Sequence, residues 1–175
     1  FARNWNGLEL RDASAVTVTG NVADHCSNTG VSMFGARDNE IADNDLSWAV
    51  RGAGLVFPGA WYGQATFDSA GILADVGSSA NRILRNDARY GGDGIFLRGL
   101  LGACATDNWV EGNDVSGSPH NGIESWCDDN AFVGNTASAC HYGLWLGGSD
   151  RVRVRSNVAD RNEIDGVSIQ LGKDR

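Results

Sequence analysis

The sequence predicts an all-β fold, a single-stranded right-handed parallel β-helix of about seven coils, and two recurring features indicate it. One is an asparagine that returns about once per coil. The other is a glycine followed by apolar residues at its first and third places, as in Gly94-Ile95-Phe96-Leu97. Self-similarity at roughly 20–30 residues is typical of solenoids. The recurring residues, here called the ladder asparagines, are Asn21, Asn44, Asn86, Asn113, Asn135 and Asn157.

Each coil should carry at least two short strands. Alternation after the glycine has the period of two expected of a strand with one buried face. A second apolar residue lies three places before each ladder asparagine, for example Ile41 and Val110. We expect the asparagines to take left-handed backbone geometry at a corner and to bond to one another between coils, and the glycines to supply unusual φ at the other corner. A β-sandwich would also alternate, but it would not require asparagine and glycine in a constant register.

The length of 175 residues and a hydrophobic content of 42% indicate one domain, residues 1–175, with a loop insertion at about 50–69. A solenoid needs caps over its terminal coils. Because a coil begins almost at Phe1 and the seventh stops at Arg175, we expect a module of a longer chain, or self-association through uncapped ends.

Charge and hydropathy limit the partners. The net charge is −8, with 13 arginines and a single lysine, Lys173, which disfavours nucleic acid. No apolar run of 18 residues exists, so no membrane association is expected. Lysine is also excluded as a catalytic base, since Lys173 lies in the terminal tail.

The cysteines can be placed on the coils. Cys104 and Cys127 lie nine and eight residues before successive ladder asparagines, so their Cα atoms should come within disulfide range. Cys26 and Cys140 lie four coils apart and should be small buried residues. One disulfide favours an extracellular or periplasmic location.

Function should lie where the chain departs from the repeat, and the largest departure is the segment from Val50 to Phe67. This glycine-rich and aromatic segment, which includes Trp61 and Tyr62, could wall a groove on coils three to six. The second place after glycine should point outward there, and it holds Phe96, Glu124 and Trp145.

Further polar and aromatic residues neighbour this outward row. They are Arg98, Trp126, His120 and His141. Aromatic faces beside fixed polar groups are what a sugar-binding cleft requires, so a polysaccharide or oligosaccharide is the expected partner. The alternative is that Phe96 and Trp145 simply pack under the loop.

Acidic residues on successive coils are the candidate catalysts. Asp68, Asp93 and Glu124 should lie roughly 5–10 Å apart, the range in which carboxylates share acid and base roles in glycoside cleavage. Aspartate before glycine is also a common turn signal, whereas Glu124 sits in mid-strand without such a reason. His141 is a further candidate proton donor. Two histidines without a helical motif or a cysteine pair favour this role over a metal site, so neither a metal nor another cofactor is assigned.

Segments such as Gly92-Asp93-Gly94-Ile95, Pro119-His120-Asn121-Gly122 and His141-Tyr142-Gly143-Leu144 resemble bacterial right-handed parallel β-helix repeat proteins of the pectate-lyase-like superfamily over about residues 66–172. The resemblance implies polysaccharide lyase, epimerase or glycoside hydrolase activity, or a member without activity.

This chain departs from those patterns. Ser118-Pro119-His120 only echoes the Asp-Pro-His of alginate epimerases, and elimination would need Arg98 as the base in place of the lyases' lysine. Hydrolysis is therefore preferred to elimination or epimerisation. The alternative is a non-catalytic structural or surface module that stacks into a filament or binds glycan.

Overall fold

The computed structural model describes residues 1–50, 69–100 and 102–170. Two parallel sheets run along the molecule, and each coil gives one strand to each, which confirms the predicted parallel β-helix with six complete coils and a seventh begun. The seven-stranded first sheet consists of β1 (Asn6–Arg11), β3 (Thr29–Phe34), β5 (Ala70–Asp75), β7 (Asp93–Leu97), β11 (Asn121–Ser125), β13 (Tyr142–Gly147) and β15 (Val167–Gln170). The six-stranded second sheet consists of β2 (Thr17–Thr19), β4 (Glu40–Ala42), β6 (Arg82–Leu84), β10 (Trp109–Glu111), β12 (Ala131–Val133) and β14 (Arg153–Arg155).

The core lies between these sheets and follows the predicted inward pattern. In the first sheet Ile72, Ile95, Ile123 and Leu144 are register partners on four successive coils, and none is exposed. Equivalent apolar residues therefore stack directly on one another, which removes their surface from water along the whole axis.

The predicted ladder is present. The side-chain amide of each ladder asparagine from Asn21 to Asn135 donates to the Oδ1 atom of the next at 2.9–3.1 Å. The sequence analysis missed a second ladder, in which Asn39, Asn81, Asn108 and Asn130 bond in the same way at 3.0–3.2 Å. Its signal was visible, because each member lies five residues before a ladder asparagine.

Two expectations about corner geometry were wrong. Left-handed φ occurs at the residue before each ladder asparagine, and not at the asparagine itself; these residues are Gly20, Asp43, Arg85, Gly112, Gly134 and Ser156. The repeating glycines at the start of the first-sheet strands, here called the strand-entry glycines, do not have positive φ. They are required because the neighbouring coil leaves no room for a side chain. At Gly122, for example, a Cβ atom would lie 2.6 Å from the Gly143 carbonyl oxygen of the next coil.

A short antiparallel hairpin, β8 (Gly99–Leu100) and β9 (Ala103–Cys104), departs from the coil after β7. A disulfide joins Cys104 to Cys127 on the next coil, with the Cα atoms 5.5 Å apart. Cys26 and Cys140 are free thiols in the buried interior.

The insertion at 50–69, with Trp61, Tyr62 and Asp68, lies outside the residues that the structure describes, apart from its two end residues. No described segment forms a helix with the length and apolarity needed to cross a membrane.

Candidate functional site

Three ionisable side chains meet on the outer side of the first sheet. Asp93 is the first residue of β7, His120 directly precedes β11, and Glu124 lies within β11. The Nδ1 atom of His120 is 2.8 Å from Asp93 Oδ1 and 3.4 Å from Glu124 Oε2. Adjacent coils therefore bring together three residues that lie within 31 positions of one another in the sequence, from Asp93 to Glu124. We call these three residues the Asp93–His120–Glu124 cluster.

Glu124 is held by two hydrogen bonds and is nearly buried. The Asn121 side-chain amide donates to Oε2 at 2.6 Å, and the Trp126 indole N–H donates to Oε1 at 2.5 Å. Burial, and then the nearby charge of Asp93, raise the pKa of Glu124 to about 8, against the lowering effects of His120 and of the two donors. Glu124 is therefore mainly protonated at neutral pH.

Asp93 lies deepest in the cluster. Its side chain is fully buried, and its Oδ1 atom also accepts a hydrogen bond from the backbone N–H of Asn121 at 3.0 Å. One donor atom from each of Asp93, His120 and Glu124 lies within 4.8 Å of the others. Both carboxylates turn toward the same imidazole, which brings Asp93 and Glu124 together as the sequence predicts.

Only part of the site reaches solvent. The side chain of Glu124 is 5% exposed and that of His120 is 22% exposed, whereas Trp126 is 37% exposed. A ligand on this face would meet His120 and Trp126 first, with the carboxylates beneath them. Such an arrangement can hold and transfer protons through the imidazole.

The predicted outward row is less exposed than expected. Phe96 is only 1% exposed and packs in a small buried cluster with Ala70 and Leu73. Its ring has no open face for a sugar, so its predicted stacking role is wrong. Trp145 is half-buried and is the register partner of Glu124, which keeps it beside the site.

Two other candidates are engaged elsewhere. The Nδ1 atom of His141 is 2.9 Å from Glu163 Oε2, so His141 does not join the cluster. Arg98 donates from Nε and Nη2 to Asp75 at 2.9 and 2.6 Å. The guanidinium of Arg98 is thus engaged in an ion pair with Asp75, which argues against its predicted role as a base.

Asn121 is a site residue that the sequence analysis missed. Its backbone contacts Asp93 and its side chain contacts Glu124, so one residue fixes both carboxylates. The available signal was its position between His120 and the strand-entry glycine Gly122.

Comparisons with known proteins agree with this architecture. A family model described as "Periplasmic copper-binding protein (NosD)" matches residues 74–175. No curated protein sequence matches. A structure of the periplasmic alginate epimerase AlgG is 20% identical with a TM-score of 0.72, over 89% of this chain and 32% of that one. A double mutant of the same epimerase gives 21% identity and a TM-score of 0.78, over 97% and 36%.

These likenesses show the parallel β-helix, and the chain spans about a third of the length of the epimerases it matches. The periplasmic family confirms the predicted extracellular or periplasmic location.

The family description names copper, and the described residues do not fit a copper(I) site. Copper(I) prefers thiolate and thioether ligands. Cys104 and Cys127 are bonded to each other, while Met33, Cys26 and Cys140 are buried in the coil interior. The Asp93–His120–Glu124 cluster offers one imidazole and two carboxylates, a harder donor set than the sulfur ligands that copper(I) prefers.

Proposed function

We propose that this chain, which belongs to the NosD family, binds a polysaccharide on the outer face of its first sheet and cleaves a glycosidic bond. The observation that carries the proposal is a nearly buried carboxyl group, that of Glu124, beside a surface-reaching imidazole and two tryptophans. The activity of the epimerases supports a carbohydrate substrate for a similar β-helix.

Glu124 is the proposed proton donor. An acid whose pKa lies near the working pH is protonated when the substrate arrives and can still release its proton as the bond breaks. Its hydrogen bonds from Asn121 and Trp126 stabilise the carboxylate that remains after transfer.

Asp93 is proposed to position and polarise His120, and not to contact substrate, because its side chain is fully buried. Glu124 gives its proton to the bridging oxygen as the bond between that oxygen and the anomeric carbon breaks. Water adds to the anomeric carbon, and the proton lost by water passes to His120. His120 Nδ1 lies 3.4 Å from Glu124 Oε2 and can return that proton to Glu124, which restores the starting state.

This scheme differs from hydrolysis by two flanking carboxylates. Those enzymes separate their carboxyl groups by about 5–5.5 Å or about 6.5–9.5 Å to admit the sugar or a water. His120 Nδ1 lies 2.8 Å from Asp93 Oδ1 and 3.4 Å from Glu124 Oε2, so the imidazole occupies the space between the two carboxyl groups. An Asp-supported histidine therefore takes the place of the second carboxylate.

The test is a polysaccharide-degradation screen that distinguishes reaction types by product. Hydrolysis gives new reducing ends, elimination gives an unsaturated product with ultraviolet absorbance, and epimerisation changes the NMR spectrum without cleavage. Glu124→Gln should lower the cleavage rate by about two orders of magnitude. Glu111→Gln is the matched control, because Glu111 also accepts an indole N–H, from Trp109 at 2.7 Å, but on the exposed second sheet.

Cleavage by Glu124→Gln at the wild-type rate would refute the assignment of the acid. An unsaturated or epimerised product would refute hydrolysis. Glycan binding without any turnover would support the non-catalytic module instead.

A further inference from the structure

An open cavity of about 470 Å³ is lined in part by Trp126, whose indole N–H is bonded to Glu124 of the Asp93–His120–Glu124 cluster. Its walls include Trp126 and Trp145, and its floor consists of small residues. The lining residues are Gly99, Gly102, Ala103, Cys104, Trp126, Trp145, Gly147 and Gly148. None of these described lining residues carries a charge.

Both tryptophans are fixed in place. The indole N–H of Trp126 is bonded to Glu124, and its ring meets Phe96 edge to face with the centroids 5.0 Å apart. The ring of Trp145 lies over Gly147, where a Cβ atom would overlap the indole. Aromatic surfaces held in this way lose little conformational entropy when a ligand stacks on them.

The remaining wall is the hairpin formed by β8 and β9. It departs from the regular coil, and its last residue, Cys104, is bonded to Cys127 on the coil that carries Trp126. The disulfide thus ties the hairpin to the tryptophan on the other side of the opening. The wall formed by Cys104 is thereby held against the coil that carries Trp126.

We propose that this cavity is a subsite for an uncharged pyranose ring, an inference that rests on the proposed function and names its substrate class. The C–H face of a pyranose stacks on indole, and shallow glycine-lined backbone admits the flat ring. A uronate ring would bring a carboxylate to a cavity whose described lining residues offer no cation, in a chain of net charge −8.

The substrate class also bears on the reaction. Elimination and epimerisation both remove a proton from the carbon next to a carboxyl group, which acidifies it. A neutral sugar has no such group, so a neutral ring at the reacting position would be open to hydrolysis and to neither of these reactions.

The test measures binding of neutral and acidic oligosaccharides by calorimetry at moderate salt. The neutral probes are cellohexaose, xylohexaose and mannohexaose, and the acidic probes are hexamers of galacturonate and mannuronate. At least one neutral probe should bind more tightly than either acidic one. Trp145→Ala should weaken that binding about 5- to 30-fold, the scale of a lost stacking contact, and Trp145→Phe should recover part of it. Trp109→Ala on the second sheet is the matched control and should bind as the wild type does.

Three results would overturn the inference: tighter binding of an acidic probe, no binding of any neutral probe at millimolar concentration, or a Trp145→Ala variant that binds like the wild type. Failure of the proposed function has a different signature. In that case a neutral probe binds, Trp145→Ala weakens it, and the wild-type protein leaves the probe uncleaved.

Discussion

Replacing Glu124 by glutamine should change how the stability of the protein depends on pH. The folded-state pKa of Glu124 is about 8, above its ordinary value of 4.5. Between these values the folded protein binds more protons at this group than the unfolded chain does. The free energy of unfolding should therefore fall as the pH rises from about 4.5 to about 8, and this contribution is flat outside that window.

The magnitude follows from the displacement of the pKa. At about 1.4 kcal/mol for each pKa unit, ionising Glu124 in place costs at most about 5 kcal/mol, and less if water enters the site. Glutamine does not ionise, so the Glu124→Gln variant does not lose this free energy as the pH rises. Its amide can also find a partner, because Asn121 Oδ1 is buried without a hydrogen bond among the described residues and can accept from it after the Asn121 amide rotates.

The assay is urea unfolding followed by tryptophan fluorescence at about pH 5, pH 7 and pH 9. The wild-type protein should lose stability across the series, and Glu124→Gln should lose markedly less and become the more stable of the two at about pH 9. Glu111→Gln should keep the wild-type slope, since Glu111 is an exposed glutamate with a similar indole donor. If the free energy of unfolding depended on pH equally in Glu124→Gln and the wild type, the conclusion that Glu124 is buried in its protonated form would be refuted.

Three further predictions concern the framework. Asn113→Ala should lower the free energy of unfolding by about 1–3 kcal/mol, because it leaves ladder groups on both neighbouring coils without partners; an unchanged thermal melt would contradict this. Mass spectrometry of an unreduced digest should find Cys104 linked to Cys127, and all four thiols free would be the contrary result. Gly94→Ala should cost about 3 kcal/mol, since a Cβ atom there would collide with the next coil, whereas Gly134→Ala should cost only about 1 kcal/mol for its positive φ in open space; equal chemical unfolding midpoints would contradict it.

The fold could be predicted from the sequence because every coil of a solenoid repeats the same pattern of apolar, glycine and asparagine positions. The inward positions at Ile72, Ile95 and Ile123 and the asparagine amides each need the same neighbour on the next coil. Register therefore follows from counting residues between equivalent positions. The same counting placed Cys104 beside Cys127, which the structure joins.

The backbone geometry of the corners was harder to predict, because several residue types occupy the left-handed position there. Asp43 and Arg85 take left-handed φ before ladder asparagines, although neither residue type marks this geometry in the sequence. Glycine at strand entry could mean either unusual φ or close approach, and only the position of the neighbouring carbonyl distinguishes them.

The sequence by itself determined the coil, its buried faces and the residues offered to the outer surface, because those depend on periodicity. The tertiary structure decided which of the offered residues meet. Side-chain rotation turned Asp93 and Glu124 toward the imidazole of His120, and paired His141 with Glu163 and Arg98 with Asp75 instead. Burial of Phe96 and the raised pKa of Glu124 likewise depend on what covers each residue, and coverage is a property of the assembled coils and not of the repeat.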